Sequence, residues 1–213
     1  WEEDPRLVRE WDDVAAEARR TGQEAHFGHL FCITVEKNSE LAPDNPARKY
    51  KGRVVFQGNR VKDQNWDVAL FQAMGSNPAT MEAARSADFF GAFGGHTTEV
   101  ADAEQAYIQA DLQGPATWVC LPREAWPKSW EGKNFRRPVC RLYKALYGHP
   151  DSGTYWENHC DQHLRSEGFK PVSENWPSCY HHAKLNLLFV VYVDDFKMAG
   201  PKKGLDEAWR QIR

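Results

Sequence analysis

Two adjacent aspartates, Asp194 and Asp195, follow an apolar run from Leu187 to Val193 in which Tyr192 carries the one polar group. A run of that kind reads as a strand covered on both faces, and such a strand does not end in two acids without a cause. Holding a hard divalent cation is one such cause, because carboxylate oxygens are its natural ligands. Successive side chains of an extended chain point to opposite faces, so the pair can share an ion only if the chain turns there; one acid is then the main ligand and the other a helper. Phosphoryl transfer to a hydroxyl asks little covalent chemistry of a protein, and two ions about 3.5–4 Å apart on a few carboxylates suffice. A third acid must come from elsewhere. Asp102 is the candidate: Thr98-Glu99-Val100-Ala101 leads in as a short strand and Ala103 to Tyr107 leads away in helix-favouring residues. So sparse a set suits Mg²⁺, which keeps several waters and takes one or two carboxylates plus substrate phosphates. The bland alternative is that an Asp-Asp pair after a strand is a turn or a helix cap, and a Y-x-D-D string arises by chance in roughly 1–2% of chains of this length.

The rest of the chain supplies elements that could position these acids. Apolar and alanine residues at helical spacing predict an amphipathic helix over 7–20 with Gly22 as its stop. His29 to Val35 and Tyr50 to Gln57 read as two strands of a hairpin with a basic face. A helix is expected over 79–93 up to Gly94-Gly95, a strand over 97–101, and another strand over 116–121 before a Pro/Trp-rich loop. Gly148-His149-Pro150-Asp151 breaks the chain, and Ser152 to Gly168 reads as a helix closed by glycine. Ser178 to His182 and Leu185 to Val193 then read as a hairpin around Ala183-Lys184.

Composition bounds these readings. With 213 residues, 41% hydrophobic and 27% charged, the chain suits one globular domain or two small lobes. No apolar run approaches the ~20 residues of a bilayer crossing, so no membrane partner is expected. The N-terminus is acidic and lacks an initiator Met, so the chain reads as a fragment of something longer. A net charge of −3 is unpromising for binding phosphates, yet it is unevenly spread. The first 17 residues carry seven acids against Arg6 and Arg9, a net of −5, which leaves +2 for the remainder. Basic clusters occur at 48–53, at 133–137 and at Lys202-Lys203; the bland reading of each is solvated surface. Five scattered cysteines without a C-x-x-C read as reduced thiols of an intracellular protein. His159 and His163 at i, i+4 beside Cys160, with Cys179, His181 and His182 later, allow a Zn²⁺ site to be imagined, but no H-E-x-x-H is present.

Tyr192-Val193-Asp194-Asp195 resembles the Y-x-D-D signature of reverse transcriptases, and its flanks resemble those of the Ty1/copia retrotransposon class. Other segments agree in order. RKYKGRVVFQG at 48–58 resembles that class's basic fingers strand, DAEQAYIQADL at 102–112 its first metal-binding segment, and VCRLYKALYG at 139–148 its V-C-K-L-K-K-S-L-Y-G. Ser166 to Phe169 resembles the family's helix-closing L-G-F, and 188–200 its active-site hairpin. The likeness covers roughly residues 48–200.

The resemblance implies an α+β, right-hand polymerase with palm and fingers, an antiparallel palm sheet backed by helices, and no thumb. The implied segments are an acidic helical stretch at 1–27, fingers at 28–94, palm at 95–120, an insertion at 121–147, and the second palm part with the YVDD hairpin at 148–213. It implies an RNA-directed DNA polymerase that adds dNTPs to a primer 3′-hydroxyl by two-metal catalysis, with Asp102, Asp194 and Asp195 on two Mg²⁺ ions, Mn²⁺ being the substitute. Lys51 and Arg53 become candidates for the triphosphate, Tyr107 for excluding a 2′-hydroxyl, and Gly148 and Tyr192 for substrate contact. The implied partners are an RNA template, a DNA primer and the rest of a Pol polyprotein; the implied location is cytoplasmic, in virus-like particles, and nuclear. The chain departs from the family pattern after Gly148, where His149-Pro150-Asp151-Ser152-Gly153-Thr154-Tyr155 replaces the usual L-K-Q-A-P-R-A while Trp156 remains, and Ile108-Gln109-Ala110 lacks the usual glycine. Those departures and the missing thumb point to the alternative: a decayed or domesticated fragment that binds nucleic acid or a protein without catalysis.

Overall fold

The structure, a computed structural model, describes residues 7–71 and 75–212; the acids Glu2, Glu3 and Asp4 lie outside them. In chain order the first half forms β1 (Val8–Glu10), α1 (Trp11–Thr21), β2 (Ala25–Lys37), β3 (Lys49–Phe56), α2 (Met81–Gly91), β4 (His96–Asp102), α3 (Ala106–Gln109) and β5 (Ala116–Cys120). The second half forms β6 (Pro138–Arg141), α4 (Ser152–Ser166), β7 (Lys170–Ser173), β8 (Trp176–His182), β9 (Leu187–Tyr192), β10 (Asp195–Pro201) and α5 (Lys202–Gln211). The chain divides into two compact units, Trp1–Gln72 with Asp111–Ser152, and Ala73–Ala110 with Gly153–Arg213.

The first unit is built on a five-stranded sheet of order β1-β6-β5-β2-β3. Helix α1 buries Trp11, Val14, Ala15 and Ala18, the i, i+3, i+4, i+7 stripe of an amphipathic helix, against Phe27, Trp118 and Val139. Gly22 closes it in the left-handed conformation at φ 69°. The predicted start of this helix is corrected: residues 8–10 form a strand against 138–140, and Glu10 fixes it by accepting the backbone N–H groups of Arg136 and Arg137, each at 2.8 Å. Residues 116–120 also differ from the segmentation read in the sequence. They pair in parallel with β2 and antiparallel with β6, inside this unit, because Trp118 and Val119 find their apolar neighbours there. Beyond residue 29, β2 pairs only with β3, and this two-stranded arm leaves Phe31, Ile33, Val35, Tyr50 and Val54 exposed.

In the second unit the sheet is antiparallel throughout, of order β4-β10-β9-β8-β7. Alternation along β9 sends Leu187, Phe189 and Val191 into one core with Trp156, Cys160 and Leu164 of α4 and Leu205 and Ala208 of α5. Val190 and Leu188 meet the alanines of α2 on the other face. The run is thus covered on both faces over residues 187–191, as its composition demands, while Tyr192 is exposed. Helix α2 is capped by the Thr80 hydroxyl, which accepts the Ala83 N–H at 3.3 Å, and it lies close on the sheet because Ala83, Ala87 and Gly91 are small. Helix α5 and strand β7 are additions to the predicted elements, and the helix expected after Asp102 is one turn long. Among the described residues no helix is long and apolar enough to cross a membrane.

Candidate active site

Two strand ends and one turn in the second unit carry the predicted acids. In the antiparallel pairing of β4 with β10, Asp102 lies directly opposite Asp195, and Asp195 in turn lies opposite Tyr192 of β9. Residues paired in this way project to the same face, with Cβ atoms about 4.5–5.5 Å apart. The face is the one covered farther along by α2, where Lys197 pairs with Asp88 at 2.9 Å. At the Asp195 end it is open: Asp102, Tyr192 and Asp195 are all exposed.

Asp194 sits in the turn itself. Because Tyr192 pairs with Asp195, the connection is the two residues Val193 and Asp194, and Val193 has φ 56°. A positive φ at the first central position is the signature of the primed hairpin turns, where glycine is the favoured residue. A β-branched residue held there is strained by roughly 1–3 kcal/mol and persists only when its surroundings over-determine it. The surroundings do so through three carbonyls in and beside the turn. Val193 O accepts the indole N–H of Trp156 at 2.7 Å, Asp194 O accepts the N–H of Ala103 at 2.7 Å, and Val191 O accepts that of Ala79 at 3.1 Å. The turn is therefore fastened to α4, to the residue following Asp102, and to the chain leading into α2.

Like charges directly opposite one another on a sheet repel. Among the described residues neither Asp102, Asp194 nor Asp195 has a lysine or arginine partner. All-oxygen donors, negative charge without an internal counter-ion, and exposure fit a hard divalent cation. The carboxylates stand side by side rather than already closed round a point: among the described residues no three His, Cys, Asp or Glu side chains form a ready ligand cage. Tyr107, on α3, is half-buried, and its phenol is pushed above the ordinary tyrosine range first by burial and then by the negative charge of Asp194.

The remaining predicted residues lie in the first unit. Lys51 and Arg53 are exposed on one face of β3, opposite Val35 and Ile33 of β2. Gly148 has φ 88°, and a Cβ there would fall on the Phe56 carbonyl oxygen, so backbone packing alone requires glycine. His149, in the segment that departs from the family pattern, is buried between Phe56 and Phe71, where burial and then His26 bring its pKa down to about 4. The histidines weighed for zinc serve otherwise or face solvent: His182 donates to the Glu167 carbonyl and accepts from the Leu185 N–H, while His159 and His163 are exposed. Sequence reasoning gave Trp156 no role. Its spacing with Cys160 and Leu164, four residues each, marks it as buried, but nothing local announces the partner of its N–H.

The family model for reverse transcriptase (RNA-dependent DNA polymerase) matches residues 35–211, which takes in all three acids, the basic strand and the departing segment. The chain belongs to the reverse transcriptase family. As a family these proteins are RNA-directed DNA polymerases that act on a template and primer with divalent metals.

Proposed function

We propose that the chain is the polymerase core of a Ty1/copia-type retrotransposon reverse transcriptase, part of a Pol polyprotein working in cytoplasmic particles and the nucleus. The observation that carries this is the register of β4 on β10, which sets Asp102 opposite Asp195 with Asp194 in the connecting turn. In this reading the second unit is the palm, and the β2–β3 arm belongs to the fingers.

Asp102, Asp194 and Asp195 would hold two Mg²⁺ ions, or Mn²⁺ in their place. When bound, such ions supply Lewis-acid activation of a primer 3′-hydroxyl and neutralise charge on the triphosphate. The protein's own part is positional. The strands fix the carboxylates at one open sheet end, and side-chain rotation alone brings neighbouring carboxylates together. Tyr107 fills the space that a 2′-hydroxyl would need, which favours deoxynucleotides. Lys51 and Arg53, in the first unit, offer charge to phosphate oxygens from an exposed strand, and Tyr192 lies on the open acid face for substrate contact.

The test is Mg²⁺-dependent primer extension on an RNA template, comparing the parent polyprotein with its Asp194→Asn form. Loss of one carboxylate ligand is expected to lower extension about 1,000-fold, some 4 kcal/mol of transition-state stabilisation. A parent that extends no primer, with or without the substitution, instead identifies a non-catalytic descendant that keeps the fold.

A further inference from the structure

We propose that Trp156 is a positioning residue for the metal-binding turn: its indole N–H holds the Val193 carbonyl so that a strained valine stays in the left-handed conformation that presents Asp194. The inference rests on the reading of Asp102, Asp194 and Asp195 as ion ligands. It goes beyond that reading by assigning what sets their spacing.

The argument begins with the valine. A two-residue turn whose first central residue has φ 56° is made for glycine, and nothing in the Val193 side chain favours it. The conformation must be imposed from outside. Three hydrogen bonds reach this stretch, to the carbonyls of residues 191, 193 and 194, and two of them come from backbone N–H groups of Ala79 and Ala103. The third comes from a side chain, the Trp156 indole, and among the described residues it is the side chain that grips the strained residue. Trp156 is 5% exposed and packed with Ala103, Ala106 and Leu164, so its ring cannot follow the carbonyl if the turn relaxes. Ala103 is also the residue after Asp102. The same turn is thus tied on one side to α4 and on the other to the strand end that carries the opposing acid, and together these ties determine how far Asp194 stands from Asp102.

An ordinary core tryptophan would contribute bulk but not this bond, and two substitutions separate the roles. Trp156→Phe keeps an aromatic ring and removes the N–H. Val193→Gly lets the backbone adopt the positive φ without strain, so that the clamp loses its purpose. Mn²⁺ binding to the 213-residue chain, followed by the electron paramagnetic resonance signal of free ion, is measured for the native protein, both single variants and the double variant. Trp156→Phe is expected to weaken binding about tenfold in the native background and less than about twofold in the Val193→Gly background. Equal losses in the two backgrounds, or no loss in either, overturn the proposal.

A second measurement needs no variant. In the native chain the Trp156 indole proton should exchange with solvent at least about 100-fold more slowly than that of the half-exposed Trp66. Equal rates would show that the bond is absent and dispose of the proposal even if Trp156→Phe fails to fold. The Asp194→Asn form, titrated alongside, separates the two levels of the account. Undiminished Mn²⁺ binding in that form refutes the ion-site reading, whereas lost binding there with no coupling between positions 156 and 193 refutes only the clamp.

Discussion

The two sheets treat their exposed ends in opposite ways. In the second unit the acid end of β4, β9 and β10 is open to solvent, but β9 behind it is packed on both faces and the turn carbonyls of Val193 and Asp194 accept hydrogen bonds from Trp156 and Ala103. In the first unit the basic end of β2 and β3 runs beyond its sheet, with one neighbour for each strand and apolar side chains left in water. A side-chain staple across it is Arg48 on Glu36, with N–O distances of 2.8 and 2.9 Å. The difference matches what the two regions would have to do. Ion ligands need fixed spacing to a fraction of an ångström, while a strand that attracts phosphates needs charge and reach but little pre-set geometry.

The comparison predicts unequal responses to equal substitutions. Phe189→Ala, in the core beneath the acid row, should lower unfolding free energy by about 3–5 kcal/mol, whereas Phe31→Ala on the arm should stay within about 0.5 kcal/mol. Denaturant titration of both variants decides the point, and similar losses would mean that the arm is packed after all. A smaller contrast divides two glycines. Gly148→Ala should destabilise by about 1–3 kcal/mol, through its positive φ and its collision with Phe56, while Gly52→Ala, with open space around it in the arm, should be neutral.

A dependence on pH is expected on the same scale. His149 is held neutral down to about pH 4 by burial, with His26 adding to the effect, whereas in the unfolded chain it takes up a proton near pH 6.5. The unfolded state then binds more protons as pH falls through that window. The contribution of His149 is therefore complete above about pH 6.5 and is lost progressively towards pH 4, on the order of 1–3 kcal/mol. Melting temperatures of the native chain and His149→Phe should converge on acidification, and parallel curves would show that the histidine is not buried.

Much of the second unit was legible because its signals are local. An apolar run of strand length, a turn before it and an acid pair after it give β8, β9 and β10 as neighbours in sequence and in space. The pairing of β4 with β10 is non-local, and chemistry rather than pattern suggested it: two acids wanted a third. What stayed hidden depends on partners that no window contains. Residues 8–10 carry helical periodicity but are claimed by β6, and β5 joins β2 in parallel across 86 or more intervening residues. The left-handed Val193 contradicts its own propensity, and its cause lies 37 positions away on α4. Helix α5 opens with Lys202, Lys203 and Gly204, which give no capping signal, and Gly204 is there because a Cβ would crowd the Leu185 carbonyl.

The central claim concerns where a divalent ion sits. Crystals of the chain soaked with Mn²⁺ and a deoxynucleoside triphosphate, with diffraction recorded at the manganese edge, should show an anomalous peak between the carboxylates of Asp102 and the Asp194-Asp195 turn. A peak bound to other side chains, with this row of acids turned away from it, would contradict the account.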